Sequence, residues 1–132
     1  MLTALHHVAL IVSSEEALRF YELLGLSEVF RKERTNDVIV LMEGHGFQLE
    51  IFIDSSHPSH PEGTEEPIGL RHFAIAVSGS LEDEIEELRC NYSSAGYELQ
   101  IGPIIEDWTG VRFCFIKEFD GLSIELRENK RN

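Results

Sequence analysis

An internal repeat constrains this chain more than any other feature of its sequence. His7-Val8-Ala9-Leu10-Ile11-Val12-Ser13 aligns with His72-Phe73-Ala74-Ile75-Ala76-Val77-Ser78, 65 positions on, and an acidic helical stretch follows each. Glu43–Ile51 aligns with Glu118–Leu126 at a spacing of 75, so the second copy carries about ten further residues between its His and its Glu. A chain built this way folds as two similar units, and a residue type that recurs at the same place in both has a shared reason to be there.

Each half reads as strand, helix, then three strands: an α+β chain of two tandem βαβββ modules forming a curled mixed sheet. In the first half, strands are expected over Leu5–Val12, Ser27–Glu33, Val38–Met42 and Phe47–Ile53, with Gly44 and Gly46 marking a turn. Ser13 and Glu16 form a capping box for a helix that runs to Leu24 and stops at Gly25. In the second half, Ser80 caps a helix over Leu81–Ala95 that Gly96 stops, and strands follow over Tyr97–Ile101, Val111–Ile116 and Leu122–Arg127. Asp120-Gly121 joins the last two. Module 1 covers about 4–53 and module 2 about 68–128. The Ser-, Pro- and Glu-rich segment 54–67 links them within one domain, 1–132.

Composition narrows the function. The 132 residues are 42% hydrophobic and 27% charged, as in an ordinary globular protein. The 24 acids against 11 bases leave a net charge of −13, which argues against a nucleic-acid partner and against docking on anionic membranes. No apolar run approaches the roughly 20 residues that span a bilayer. The start, Met1-Leu2-Thr3-Ala4-Leu5-His6-His7, lacks a basic region followed by an apolar stretch, so a cytoplasmic protein is expected. Cys90 and Cys114 belong to no Cys-x-x-Cys pair and read as reduced, packed thiols rather than nucleophiles.

Alternation along the strands sorts the polar residues onto one face. Val8, Leu10 and Val12 suit a helix-covered surface, which turns His7, Ala9 and Ile11 the other way. Phe73, Ile75 and Val77 do the same for His72, Ala74 and Ala76. Leu49 and Ile51 oppose Gln48, Glu50 and Phe52, and Ile124 and Leu126 oppose Ser123, Glu125 and Arg127. His7, Glu50, His72 and Glu125 therefore share the faces away from the helices, and Ala9 and Ala74 leave room beside them. Two imidazoles and two carboxylates suit one divalent metal, Zn, Ni, Co, Fe or Mn, whose charge the two Glu balance. His6 has the phase of Val8 and reads as a packing or edge residue. His45 sits in a turn, and His57 and His60 lie in a Pro-rich loop. Arg112 shares a strand face with Cys114 and Ile116 and is a candidate partner for a substrate anion. Trp108 is a candidate pocket wall.

These segments resemble the vicinal oxygen chelate superfamily, which includes glyoxalase I, methylmalonyl-CoA epimerase, fosfomycin resistance proteins and extradiol dioxygenases. The resemblance runs over nearly the whole chain, through Leu5-His6-His7-Val8-Ala9-Leu10, Phe20-Tyr21 with Leu24-Gly25-Leu26, Leu49-Glu50-Ile51-Phe52, Gly69-Leu70-Arg71-His72-Phe73-Ala74, Asp107-Trp108-Thr109-Gly110 and Asp120-Gly121-Leu122-Ser123-Ile124-Glu125-Leu126. It implies the glyoxalase/bleomycin resistance/dioxygenase fold, and metal ligands at His7, Glu50, His72 and Glu125, the glyoxalase I pattern. It also implies a small-molecule substrate, with the site built within one chain or across a homodimer.

The implied activity is glyoxalase-like: a metal-dependent isomerase or lyase moving a proton on a chelated α-hydroxy carbonyl compound, with Glu125 as general base and Glu50 opposite. Glutathione-dependent bacterial members carry Arg where this chain has Ile11 and Asn where it has Asp54. That predicts weak or no use of the glutathione adduct. An epimerase or an extradiol-type dioxygenase is the alternative enzyme reading. A non-enzymatic binding or resistance protein is the third, and the full ligand set counts against it.

Overall fold

Side-chain alternation builds both halves of the molecule. The computed structural model describes residues 1–58 and 68–129. The chain divides into two compact units, Met1–Ser59 and His60–Asn132. His60 and most of the expected linker 54–67 lie outside the described residues.

Unit 1 runs β1 (Val8–Val12), α1 (Glu16–Leu23), β2 (Ser27–Glu33), β3 (Val38–Gly44) and β4 (Phe47–Ile53). Its sheet has the order β1-β4-β3-β2, with β1 parallel to β4 and the other pairs antiparallel. Phe20, Tyr21, Val40, Met42, Leu49 and Ile51 are wholly buried, so one face of the helix and one face of the sheet close a core. Burial of such a side chain stabilises by about 1.5–3 kcal/mol each. β1 begins three residues later than the sequence predicts, because pairing with β4 starts at Val8 opposite Leu49. The helix also starts later than the capping box implies. Glu15 takes the cap position with no side-chain cap bond, and Arg31 from β2 donates to its carboxylate at 3.1 Å.

The turn that stops α1 is tied to the β3–β4 turn. Gly25 has φ +108°, and a Cβ there would stand 2.5 Å from Nε2 of His45. That ring donates to the Leu24 carbonyl at 2.8 Å. His45 itself adopts φ 51° in its tight turn.

Unit 2 runs β5 (Phe73–Val77), α2 (Leu81–Ser94), β6 (Gln100–Ile101), β7 (Ile105–Glu106), β8 (Arg112–Lys117) and β9 (Ser123–Glu128). The order is β5-β9-β8-β6, β7 also pairs with β8, and β5 is parallel to β9. The Ser80 cap forms as expected, its hydroxyl accepting the Asp83 N–H at 3.2 Å. The expected strand Tyr97–Ile101 is shorter. Tyr97 closes the end of α2 by donating to the Tyr92 carbonyl, and Gly102-Pro103 then splits the edge into β6 and β7. Leu81, Tyr92, Cys114, Ile116 and Ile124 are wholly buried in its core.

Candidate metal centre

The two parallel strand pairs carry the same register. Ala9 faces Glu50 across β1 and β4, and Ala74 faces Glu125 across β5 and β9. Each histidine lies two residues before its alanine and on the same face. In unit 1, His7 Nε2 stands 4.0 Å from Glu50 Oε1. In unit 2, His72 Nε2 stands 3.9 Å from Glu125 Oε1. Two donors about 2.1 Å from a common ion stand about 3.0–3.4 Å apart at octahedral or tetrahedral angles and at most about 4.2 Å apart, so each pair lies inside the outer limit and would draw closer on binding one ion. All four side chains keep partial access to solvent. Among the described residues no three His, Cys, Asp or Glu form a metal-binding group, so each unit holds a pair.

Neighbours orient the two imidazoles differently. Nδ1 of His7 lies 2.8 Å from Nδ1 of His6, with the rings edge to face at 5.1 Å. With the proton on His7 Nδ1, the lone pair of Nε2 is free beside Glu50, which is the tautomer a metal selects. Of the two readings the sequence offered for His6, the structure overturns packing: the residue is exposed and hydrogen-bonded to His7. The adjacent histidine pair was the available signal, hidden because Arg71 stands there in the repeat. His72 instead packs edge-on against Phe115 at 4.9 Å.

Arg112 is not brought to this face. It lies on the helix-covered side, donating to the Glu128 carboxylate at 2.9 and 3.2 Å and to Glu82 of α2 at 2.5 and 3.0 Å. Two carboxylates occupy its guanidinium, so it ties α2 to β9, where the sequence expectation had it meet a substrate anion. Trp108 stands at the tip of the turn Asp107–Gly110, almost fully exposed. Asp107 builds that turn, accepting the N–H groups of Thr109 at 2.8 Å and Val111 at 3.3 Å, and Arg127 donates to its other oxygen. Thr109 and Arg127 hold the Asp107 carboxyl well below its usual range.

Neither thiol is activated. Burial pushes Cys114 up to about 11, and the Glu86 carboxylate raises the exposed Cys90. Among the described residues no helix is long and apolar enough to cross a membrane.

No protein-family model matches the chain. It is 31% identical to the protein YaeR of Escherichia coli K12, over 96% of this chain and 97% of that one. A glyoxalase family protein from Enterococcus faecalis is 32% identical, with a TM-score of 0.78 over 95% of this chain and 97% of that one. At lower identity, which shows the fold alone, the chain is similar to lactoylglutathione lyase from Agrobacterium tumefaciens (19%, TM-score 0.63, 96% and 94% covered). It is similar in the same way to the fosfomycin resistance protein FosX from Listeria monocytogenes (16%, TM-score 0.68, 98% and 96% covered). The mixed sheets and the repeated strand–helix plan are those of a vicinal oxygen chelate protein. Within that superfamily, the chain belongs to the glyoxalase family.

Proposed function

We propose that this protein is a metal-dependent enzyme of glyoxalase type, an isomerase or lyase acting by proton transfer on a small α-hydroxy carbonyl compound. One divalent ion, Ni, Zn, Co, Mn or Fe, is held by His7, Glu50, His72 and Glu125, in a cytoplasmic homodimer. The observation that carries the reading is the duplicated pair: a His and a Glu 4.0 Å apart in one unit and 3.9 Å apart in the other, on strand pairs of the same register. Neutral imidazoles and anionic carboxylates in equal number match a divalent ion in charge and donor type.

Such an ion, when bound, supplies Lewis-acid stabilisation of the negative charge that develops on a substrate oxygen. The chain's residues do the rest. The Glu125 carboxylate takes the proton from the carbon next to the carbonyl, and Glu50, on the other side of the substrate, is placed to assist its return to the adjacent carbon. Ala9 and Ala74, beside the two Glu, leave room for the substrate's carbon skeleton. Phe115 packs against His72 and restricts its rotation.

Two measurements test this. Elemental analysis of purified protein should give one divalent ion per complete His–Glu–His–Glu set, lost when His7 or His72 is replaced by Ala. Incubating the metal-loaded protein with α-hydroxy carbonyl compounds in D2O should put deuterium at the carbon next to the carbonyl. Metal-free protein that loads no ion, or loaded protein that exchanges none of them, defeats the reading. Oxygen uptake with iron bound would move it to the dioxygenases.

A further inference from the structure

One row beyond Glu50 on the same face of unit 1, Ile11 pairs with Phe52. A cavity of about 330 Å³ opens there. Its apolar lining includes Ala9, Ile11 and Phe52, and its polar lining is Asp37, Asp54 and His57. Each polar group already has a partner. Both oxygens of Asp37 accept from Arg34, each at 2.6 Å. Asp54 accepts the Ser56 N–H at 2.9 Å and lies 3.3 Å from His57 Nε2. The Arg34 guanidinium stands 5.6 Å from the centre of the Phe52 ring and is held there in its ion pair with Asp37. Arg34 holds the Asp37 carboxyl below its usual range and Ser56 does so for Asp54, so both stay anionic at neutral pH.

Unit 2 contains the same device built from positions that the repeat does not relate. Arg127, on the Glu125 face, stands 5.7 Å from the Phe113 ring centre and is held by Asp107. Lys32 and Lys117 also fall on these two faces, exposed: Lys32 lies in the Ile11–Phe52 row with Ile39 of β3 between it and Phe52, and Lys117 pairs with Ser123.

We propose that Asp37 is a specificity-determining residue: by closing Arg34 into an ion pair beside the Ile11–Phe52 cavity, it confines that cavity to uncharged, apolar substituents and excludes carboxylates. The cavity continues the face that carries His7 and Glu50. The occupant is therefore the tail of the compound whose oxygens meet the metal, and in that respect the inference rests on the glyoxalase-type reading. An alkyl chain gains from contact with Ile11 and Phe52. A carboxylate meets Asp37 and Asp54, and the Arg34 guanidinium beside Phe52 is already taken by Asp37.

The test separates tail from head. Metal-free, isotope-labelled full-length protein is titrated with hexanamide and with hexanoate, following the amide resonances of Ile11 and Phe52. Hexanamide should shift them and bind at least tenfold more tightly than hexanoate. Asp37→Asn should bring hexanoate to within threefold of hexanamide, and adding Arg34→Gln should abolish that gain. If Asp37→Asn does not fold, Asp37→Ser carries the same expectation. Equal binding of the two ligands by the unaltered protein, no shift with either, or an unchanged ratio in the Asp37 variant overturns the proposal. The nickel-loaded protein is then titrated with acetohydroxamate, hexanohydroxamate and the monohydroxamate of adipic acid. Hexanohydroxamate should bind about tenfold more tightly than acetohydroxamate, and the carboxylate-tailed compound should lose that gain. If acetohydroxamate shows no metal-dependent binding while hexanamide still discriminates, the metal reading fails and the selectivity of the cavity stands.

Discussion

Glu118 and Asp120 form a closed turn in which Glu118 Oε2 accepts the Asp120 N–H at 2.8 Å, while Oε1 of Glu118 is buried without a hydrogen-bond partner among the described residues. Only 3% of Glu118 is exposed. Burial raises its carboxyl from 4.5 to about 7. The native state therefore holds a proton that the unfolded state has released between these values. Stability from this group is full below pH 4.5, falls as pH rises, and is lost above about 7, at a total cost of about 3 kcal/mol. Glu118→Gln keeps the acceptor for Asp120 and cannot ionise. It should raise Tm at pH 8 and change it little at pH 4.5. Equal effects at both pH values in thermal melts would show that Glu118 is not protonated in the folded protein.

Replacing Glu50 or Glu125 by Gln should weaken metal binding by about a hundredfold or more, since changes to residues that merely support a ligand already cost 10–100-fold. The measurement is competition against a calibrated chelator, with circular dichroism to show the fold retained. Glu125→Gln should also abolish deuterium exchange. Retained exchange in that variant would pass the base role to Glu50.

His6→Ala removes the partner of His7 Nδ1 and leaves every proposed ligand in place. Metal affinity should fall by about 10–100-fold. His6→Gln, which can still accept a hydrogen bond, should recover most of it. A His6→Ala protein with unaltered affinity would leave the contact between the two rings without a role.

Arg112→Met breaks the tie from β8 to α2 and β9. Tm should fall, with metal affinity and proton exchange unchanged. A large rise in substrate KM at constant stability would restore Arg112 to the substrate-binding role its sequence first indicated.

Lactoylglutathione formation with Ni, Co or Zn added should be weak or absent, because Ile11 and Asp54 stand where glutathione-dependent members have Arg and Asn. Two lost charge-assisted contacts, at about 2–5 kcal/mol each, weaken binding by roughly a thousandfold or more. Turnover equal to that of an authentic glyoxalase I would show other residues holding the tripeptide.

What the sequence by itself determined is what alternation and repetition can carry. A strand's period of two assigns His7, Glu50, His72 and Glu125 to faces opposite the apolar residues, and the repeat says that both halves do so alike. The parallel registers Ala9–Glu50 and Ala74–Glu125 follow that plan. The Ser80 cap and the Gly25 and Gly96 stops were legible for the same reason: each depends on residues a few positions apart. Alternation states which face a side chain takes and not what stands across from it. Arg112 was correctly placed with Cys114 and Ile116, yet Glu82 and Glu128, far along the chain, decide that its charge is spent inside the unit. The stacking of Arg34 on Phe52, the burial of Glu118 and the division of β6 from β7 likewise depend on strand register and packing. Contacts between distant residues are chosen by the whole fold together, because burial and electrostatics act through space and leave no local pattern in the chain.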